Sequence, residues 1–385
     1  MESEELISDI NIPSDGRQKC RMIFFIAAII VLLIVCVVFI VLYIKKSPGT
    51  TPSDKPVDPV QPYTPLASWN DCETKRKIMS FVENITNPKL PSFVPNENRI
   101  VVSDLDGTLF QETDKVYNSW KLYYYRVYND PTFQSDENLK NIADQIAEAG
   151  KQGTMPDTLN MKIAETYGQL FKNMTLEEYD KYVKDYLNKD ADGYEGLKRG
   201  DAFYKPMLEL IEYFQKNNFS LFITSGTDRY QVRSVIDGHI DIPKSNVIGS
   251  DYEIYATNQG DKKGNEYEYN KSDVFSYQGT FIRKNLKTNK VIGILREIGR
   301  HPIISMGNSN GDSCMSNFIV NNKNYKGMAL MVLNDDLERE NGNIDKANKM
   351  NSTCQENGWT PISMKNDWKT IYGEKVKKKP IPFDI

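Results

Sequence analysis

The sequence predicts an α/β protein: a parallel, Rossmann-like sheet core with an inserted helical cap, preceded by one transmembrane helix. Three observations carry this. From residue 100 onward short apolar runs recur ("RIVVSDL", "SLFITSG", "NVIGS", "PIISMGNS", "MALMVLND") and alternate with segments of helical periodicity. Runs of that length joined by amphipathic helices are the pattern of parallel strands with crossover helices. Residues 111–203, by contrast, contain almost no strand signal. Residues 22–44 form an apolar run without charge or proline, roughly 35 Å long as a helix and sufficient to cross a bilayer.

Taken in order, residues 1–21 are a polar tail carrying Arg17, Lys19 and Arg21 before the apolar run, and Lys45, Lys46 and Pro48 follow it. The run therefore reads as a retained signal anchor, with the tail in the cytosol and the C-terminal part lumenal or extracellular. Residues 45–66 place Pro every few positions, as in an extended spacer. The core is expected at 67–110 and 204–385, with the cap at 111–203. Within the cap, Leu139, Ile142, Ala143 and Ile146 share one stripe, and Thr175 and Glu178 stand at capping-box spacing. In the core, Pro206 opens a helix whose Met207, Leu210, Ile211 and Phe214 share a face, and "KVIGILREIG" precedes the strand at 302. Residues 251–281 read as a polar hairpin or excursion. Because the cap leaves the sheet after a carboxylate pair and returns before the next strand, it can cover the strand ends as a lid.

Composition excludes several classes. A net charge of −4 gives no basic field for nucleic acid, and "KVKKK" at 375–379 reads as a solvated tail. The two histidines, His239 and His301, belong to no nucleophile motif or metal-ligand spacing, so a Ser-His triad and a His-rich zinc site are set aside, and both are expected at the surface or in packing. No Gly-rich loop ending in Lys-Ser/Thr is present. Cys20 and Cys36 lie beside or inside the anchor; Cys72, Cys314 and Cys354 allow one disulfide in three pairings and no framework, with Cys314 expected in the core. Sequons at Asn84, Asn173, Asn218, Asn270 and Asn351 suit a glycosylated domain outside the cytosol.

In a parallel sheet the carboxyl ends of the strands share one edge, where ligands bind. Asp104 and Asp106, Ser225 with Gly226, Lys290 opening a helix, and "GNSNGD" at 307–312 all fall at or beside such ends. Two carboxylates straight after buried β-formers cost several kcal/mol unless something pairs them, and a divalent cation is the natural partner.

"DLDGT" at 104–108, "FITSG" at 222–226, Lys290 and "GNSNGD" at 307–312 resemble, in order, the four motifs of the haloacid dehalogenase superfamily of phosphatases. The resemblance covers roughly residues 100–335, and a helical cap between the first two motifs is similar to the branch that includes phosphoserine phosphatase. It implies a hydrolase acting on a small-molecule phosphate monoester, with Asp104 as nucleophile, Asp106 as general acid and base, and Thr108 holding Asp106 by a hydrogen bond. Ser225, the Gly226 N–H and Lys290 would receive the phosphoryl group, with Thr224 taking the place of Ser225 if the strand ends one residue earlier. Mg²⁺ would be held by the Asp104 carboxylate, the Asp106 carbonyl, and Asn308 and Asp312 of the loop. Asn308 departs from the pattern, because the family usually has Asp there. The departure predicts weaker metal binding, and its alternative is a catalytically inactive ectodomain that binds a ligand or partner. For the substrate, Glu112 and Asp114 straddle the place of the acidic residue that reads phosphoserine. Trp120, Tyr123, Tyr124, Tyr125 and Tyr128 offer aromatic faces, either to a quaternary ammonium such as phosphocholine's or to the cap's own helix interface.

Overall fold

The central strands are made of residues that can be buried on both faces. Ile100–Ser103 (β1, IVVS) and Met328–Leu333 (β7, MALMVL) are buried at every position, as expected of strands covered on both sides. The structure, a computed structural model, describes residues 63–112, 116–153 and 155–380, which from Thr64 fold as one unit. The tail at 1–21, the anchor at 22–44, the spacer up to residue 62, and Asp114 lie outside the described residues. Among the described residues no helix is long and apolar enough to cross a membrane. The spacer expected to run to residue 66 stops short of it, because Leu66 is buried in the core beside Trp69. Trp69 packs edge-on against Trp368 and donates its ring N–H to the Pro206 carbonyl at 2.9 Å. Helix α1 (Glu73–Thr86) follows, burying Ile78, Phe81, Val82 and Ile85.

The other strands are β2 (Tyr194–Glu195), β3 (Ser220–Asp228), β4 (Val247–Ala256), β5 (Phe275–Arg283), β6 (Ile304–Gly307), β8 (Thr360–Ser363) and β9 (Lys377–Lys378). Among the described residues the main sheet runs β5-β4-β3-β1-β6-β7-β8. It is parallel except for the β4–β5 pair. Ser103 at the end of β1 stands opposite Ile223 of β3 and Met306 of β6, so three strands deliver their following residues to one edge. The excursion at 251–281 is a hairpin whose two strands extend this sheet. The basic run at 375–379 is not a free tail: β9 pairs antiparallel with β2, and Lys378 Nζ donates to the Leu337 and Glu340 carbonyls at 2.8 Å.

Between β1 and β3 the chain builds α2 (Asn118–Tyr128), α3 (Glu137–Gln152), α4 (Asp157–Tyr167) and α5 (Leu176–Leu187). The Asp136 carboxylate caps α3, Gly153 at φ 66° ends it, and Thr175 with Glu178 forms a full capping box on α5. The chain leaves the core and re-enters it through a hydrogen-bonded neck. Phe110 bridges Phe203, the Gln111 N–H donates to the Ala202 carbonyl at 2.9 Å, and the Tyr204 N–H donates to the Leu109 carbonyl at 2.8 Å. Helices α6 (Lys205–Lys216), α7 (Arg229–Ile236), α8 (Thr288–Gly293, continued by a π-helical turn at Ile294–Ile298) and α9 (Ser313–Val320) connect the later strands.

The three described cysteines are free thiols, so the single disulfide allowed by the sequence does not form. Cys314 is half-buried beside the Thr288 hydroxyl and not in the core. His239 stacks on Phe203 and His301 on Phe318, both as packing residues.

Candidate active site

The chain after β1 turns sharply because of Gly107, whose φ of 79° is open to glycine without strain. The Gly107 N–H closes the turn on the Phe110 carbonyl at 2.7 Å. A Cβ at this position would overlap Glu112 Oε2 and Asn308 Nδ2 and lie 2.8 Å from Asn308 Cγ. The turn thus seats two side chains where a longer residue would stand. Asp104 is buried, with its N–H bonded to the Met306 carbonyl of β6 at 2.9 Å. Asp104 Oδ1 accepts from Lys290 at 2.6 Å, while Oδ2 makes no hydrogen bond among the described residues. Burial and the nearby Asp312 push the Asp104 carboxyl well above its ordinary range, against the pull of Lys290.

Lys290, in α8, is 1% exposed and bridges Asp104 Oδ1 and Asp312 Oδ1 at 2.6 Å each. Burial works against its charge, but the two carboxylates together hold it above the ordinary lysine value. Asp312 turns back on its own loop. Its Oδ2 accepts from the Asn308 and Ser309 N–H groups at 3.1 Å each and from the Ser309 hydroxyl at 3.3 Å. Gly307 makes room for this, since a Cβ there would come within 2.8 Å of Asp312 Cγ. Asp312, expected as a direct metal ligand, therefore has both oxygens engaged in orienting Lys290 and the loop. Asn308 donates its amide to Glu112 Oε2, leaving its Oδ1 toward the Thr108 hydroxyl at 3.5 Å. Glu112 is pushed up to about 7 by burial, with Tyr117 and Asn308 bonding it from one side and Asp106 repelling it from another.

Thr108 does not hold Asp106, because its hydroxyl faces Asn308. The holder is Thr227, whose hydroxyl donates to Asp106 Oδ2 at 2.8 Å. Burial raises the Asp106 carboxyl; Thr227, Lys290, Lys284 and Ser225 draw it back. Thr227 can reach it because β3 does not stop at Ser225. It continues through Asp228 with a register shift against β4 between Thr224 and Asp228, which lifts Gly226 and Thr227 to the cavity. Ser225 is fully buried beneath them and accepts from the Thr227 N–H at 3.1 Å. Thr224 is buried too, its hydroxyl accepting from Asn285 at 3.1 Å.

Asp104, Asp106, Gly226, Thr227, Lys290, Ser309 and Asp312 line a cavity together with Tyr117, Ser119, Trp120 and Asn160 of the inserted segment and Lys284 and Leu286 after β5. Asn160 Oδ1 is buried without a hydrogen-bond partner. The five aromatic residues of "SWKLYYYRVY" do not form a cage. Trp120 faces the cavity with Tyr117 edge-on to it at 4.2 Å, Tyr123 is buried on Thr166, Tyr124 packs on Tyr128, and Tyr125 packs on Tyr186. Sequence reasoning passed over Thr227, Lys284 and Asn160, none of which stands in a motif.

Mg²⁺ fits the donor chemistry. Asp104, Asp106, Glu112 and Asp312 outnumber Lys284 and Lys290; burial raises three of the four, with carboxylate repulsion adding to it at Asp104 and Glu112, a strain that a cation relieves. Among the described residues no group of three or more His, Cys, Asp or Glu side chains is placed to hold a metal by itself. The holders would be Asp104, the Asp106 carbonyl and the Asn308 amide oxygen, with Asp312 positioning the loop.

No family model matches the chain, and neither does any curated protein. Among solved structures, a conserved protein of unknown function from Anaerococcus prevotii is similar at 14% identity and a TM-score of 0.49, over 78% of this chain and 94% of that one. Cytosolic 5'-nucleotidase IIIB bound to cytidine is similar at 14% and 0.43, over 76% and 86%. A phosphoserine phosphohydrolase-like protein from Francisella tularensis is similar at 16% and 0.33, over 61% and 88%. Identities this low carry no function across. A central β1 flanked by β3 and β6, with the insertion following the first motif, brings Asp104, Asp106, Gly226, Lys290 and Asp312 to one sheet edge, the arrangement that the resemblance of the four motifs implies.

Proposed function

We propose that this protein is a Mg²⁺-dependent phosphomonoesterase that hydrolyses a small phosphate monoester through an aspartyl-phosphate on Asp104. The observation that carries the reading is the Lys290 bridge, which fixes one Asp104 oxygen at 2.6 Å and leaves the other without a partner at the cavity. Asp104 Oδ2 bonds to phosphorus as the bond to the leaving oxygen breaks. Asp106, which burial favours in its protonated form, gives its proton to that oxygen. Its carboxylate then takes a proton from a water that attacks the aspartyl-phosphate, releasing phosphate and restoring Asp104. Thr227 keeps Asp106 in place for both transfers. The Gly226 N–H and the cavity cations face the charge on the phosphoryl oxygens. Mg²⁺, when bound, would neutralise further charge on those oxygens.

Tyr117 and Trp120 in the cavity wall set aromatic surface beside the phosphoryl position, which suits a leaving group with an ammonium head, as in phosphocholine or phosphoserine. We also place the domain outside the cytosol, anchored through residues 22–44. The sequon residues Asn84, Asn173, Asn218 and Asn270 are exposed, which suits that reading. A glycosidase mobility shift on intact membranes tests it, and an unglycosylated domain facing the cytosol overturns it. Activity is tested by Mg²⁺-dependent phosphate release from an aryl phosphate, lost in Asp104→Asn. Silence of the wild-type domain across a monoester panel with millimolar Mg²⁺ would remove the enzymatic reading and leave a binding ectodomain.

A further inference from the structure

Lys290 was the cation expected to hold the substrate, yet two of its three N–H donors are committed to Asp104 and Asp312, and those two carboxylates outweigh its charge. A second ammonium lines the same cavity. Lys284 follows β5 directly, is half-buried, and makes no hydrogen bond or ion pair through Nζ among the described residues. Its stem runs over the end of β3, with Cε 4.0 Å from where a Cβ on Gly226 would stand. Burial draws the Lys284 ammonium down to about 8, against the pull of the nearby Asp106 carboxylate.

The placement is held from beneath. Asn285, fully buried, donates from its side chain to Thr224 Oγ1 at 3.1 Å and to the Ser225 carbonyl at 3.0 Å. Its N–H donates to the Ser250 hydroxyl at 3.0 Å, and that hydroxyl donates to the Gly226 carbonyl at 2.7 Å. The residue after Lys284 is thus clamped to the strand end that carries Gly226 and Thr227. A cation fixed at a cavity wall without a hydrogen-bonded counter-ion is held there at a cost that an anionic ligand would remove.

We propose that Lys284 is the substrate-binding cation of this site, donating to the oxygens of the phosphoryl group, while Lys290 orients Asp104 and Asp312. The inference rests on the phosphatase reading for its ligand, and its test is independent of turnover. Binding of inorganic phosphate is measured by calorimetry, with and without Mg²⁺, to Asp104→Asn protein carrying Lys284, Lys284→Gln or Lys284→Arg. Lys284→Gln is expected to weaken binding about tenfold or more, the loss of one charge-assisted hydrogen bond, and Lys284→Arg to keep most of it. Thermal unfolding without phosphate is expected to be unchanged or higher in Lys284→Gln. Phosphate binding within about twofold of the parent, or a destabilised phosphate-free Lys284→Gln protein, overturns the proposal. So does a parent that binds no phosphate. Phosphate binding that depends on Lys284 in a protein that hydrolyses no ester supports it and removes only the catalytic reading. A serine or choline ester that feels Lys284→Gln while inorganic phosphate does not would place the contact on the leaving part, and would overturn the assignment to the phosphoryl group.

Discussion

Gly107→Ala isolates the contact between Glu112 and Asn308 on which the loop at 307–312 is built. The residue has a φ of 79°, and a Cβ there would overlap Glu112 Oε2 and Asn308 Nδ2. A left-handed conformation costs a non-glycine residue about 1–2 kcal/mol. Displacing the Glu112–Asn308 hydrogen bond, one partner of which is a carboxylate, removes about 1.5–3 kcal/mol. The stiffer unfolded chain returns about 0.4–1 kcal/mol. The net loss is about 1.5–4.6 kcal/mol. Gly238→Ala is the matched control, because Gly238 has a φ of 80° with nothing within 4 Å of the added carbon. Its loss is expected near 1 kcal/mol, about the backbone cost alone. Urea unfolding of both variants in EDTA measures the difference, and Mg²⁺ titration of the folded proteins shows whether Asn308 has moved. If the two variants lose the same stability, the Glu112–Asn308 contact does not occupy the space beside Gly107 and the account of this loop fails.

Three further outcomes follow from the same geometry. Asn308→Asp sets a second carboxylate against Glu112; the metal-free protein is expected to lose stability, and adding Glu112→Gln to recover it, in a urea double-mutant cycle. Additive effects would show that the two side chains do not touch. Asp228 is buried among Tyr179, Tyr277 and the Gln231 N–H and is pushed up from 3.8 to about 6 by burial. A raised folded-state acid keeps its proton where the unfolded chain has lost it, so stability is greatest below about pH 4 and falls toward pH 6 by ~3 kcal/mol; Asp228→Asn should flatten that fall, and an unchanged slope would refute the assignment. Thr227→Val removes the hydroxyl that draws Asp106 down. The alkaline limb of kcat/KM, where Asp106 must still carry its proton, should move to higher pH, whereas a fixed limb would mean that Thr227 does not set the acid.

What was legible in the sequence was whatever repeats with a period or stands in a motif. β1 and β7 declare themselves by unbroken apolar runs, α3 by its stripe, α5 by Thr175 and Glu178. Asp104, Lys290 and Asp312 declare themselves by order along the chain. Thr227 was hidden because its reach depends on a register shift in β3 that no periodicity encodes. Lys284 follows a strand in a polar stretch and reads like any surface lysine; only the folding of the β4–β5 hairpin back over Ser225 brings it to the cavity. Thr108 was misassigned because sequence neighbours need not be side-chain neighbours once Gly107 has turned the chain. β8 is short and carries Pro361, which suits an edge strand and weakens its signal. The lysines at 375–379 looked free because β2, their partner, is two residues long and lies far away in sequence.

The neck at Phe110 and Phe203 is one of several ties between the inserted segment and the sheet: the Asn173 N–H donates to the Tyr277 carbonyl at 2.8 Å, the Tyr179 hydroxyl to Asp228 at 3.3 Å, and the Tyr252 hydroxyl to the Ala164 carbonyl at 2.9 Å. Substitutions in that segment that spare these ties need not disturb the pairing of β1 with β3, nor the placement of Asp104, Lys290 and Asp312. Tyr117, Trp120 and Asn160 belong to that segment; the residues that react do not. On the proposed reading, reactivity and choice of ester are therefore carried by different stretches of polypeptide, so that side chains in one can change while the other keeps its residues.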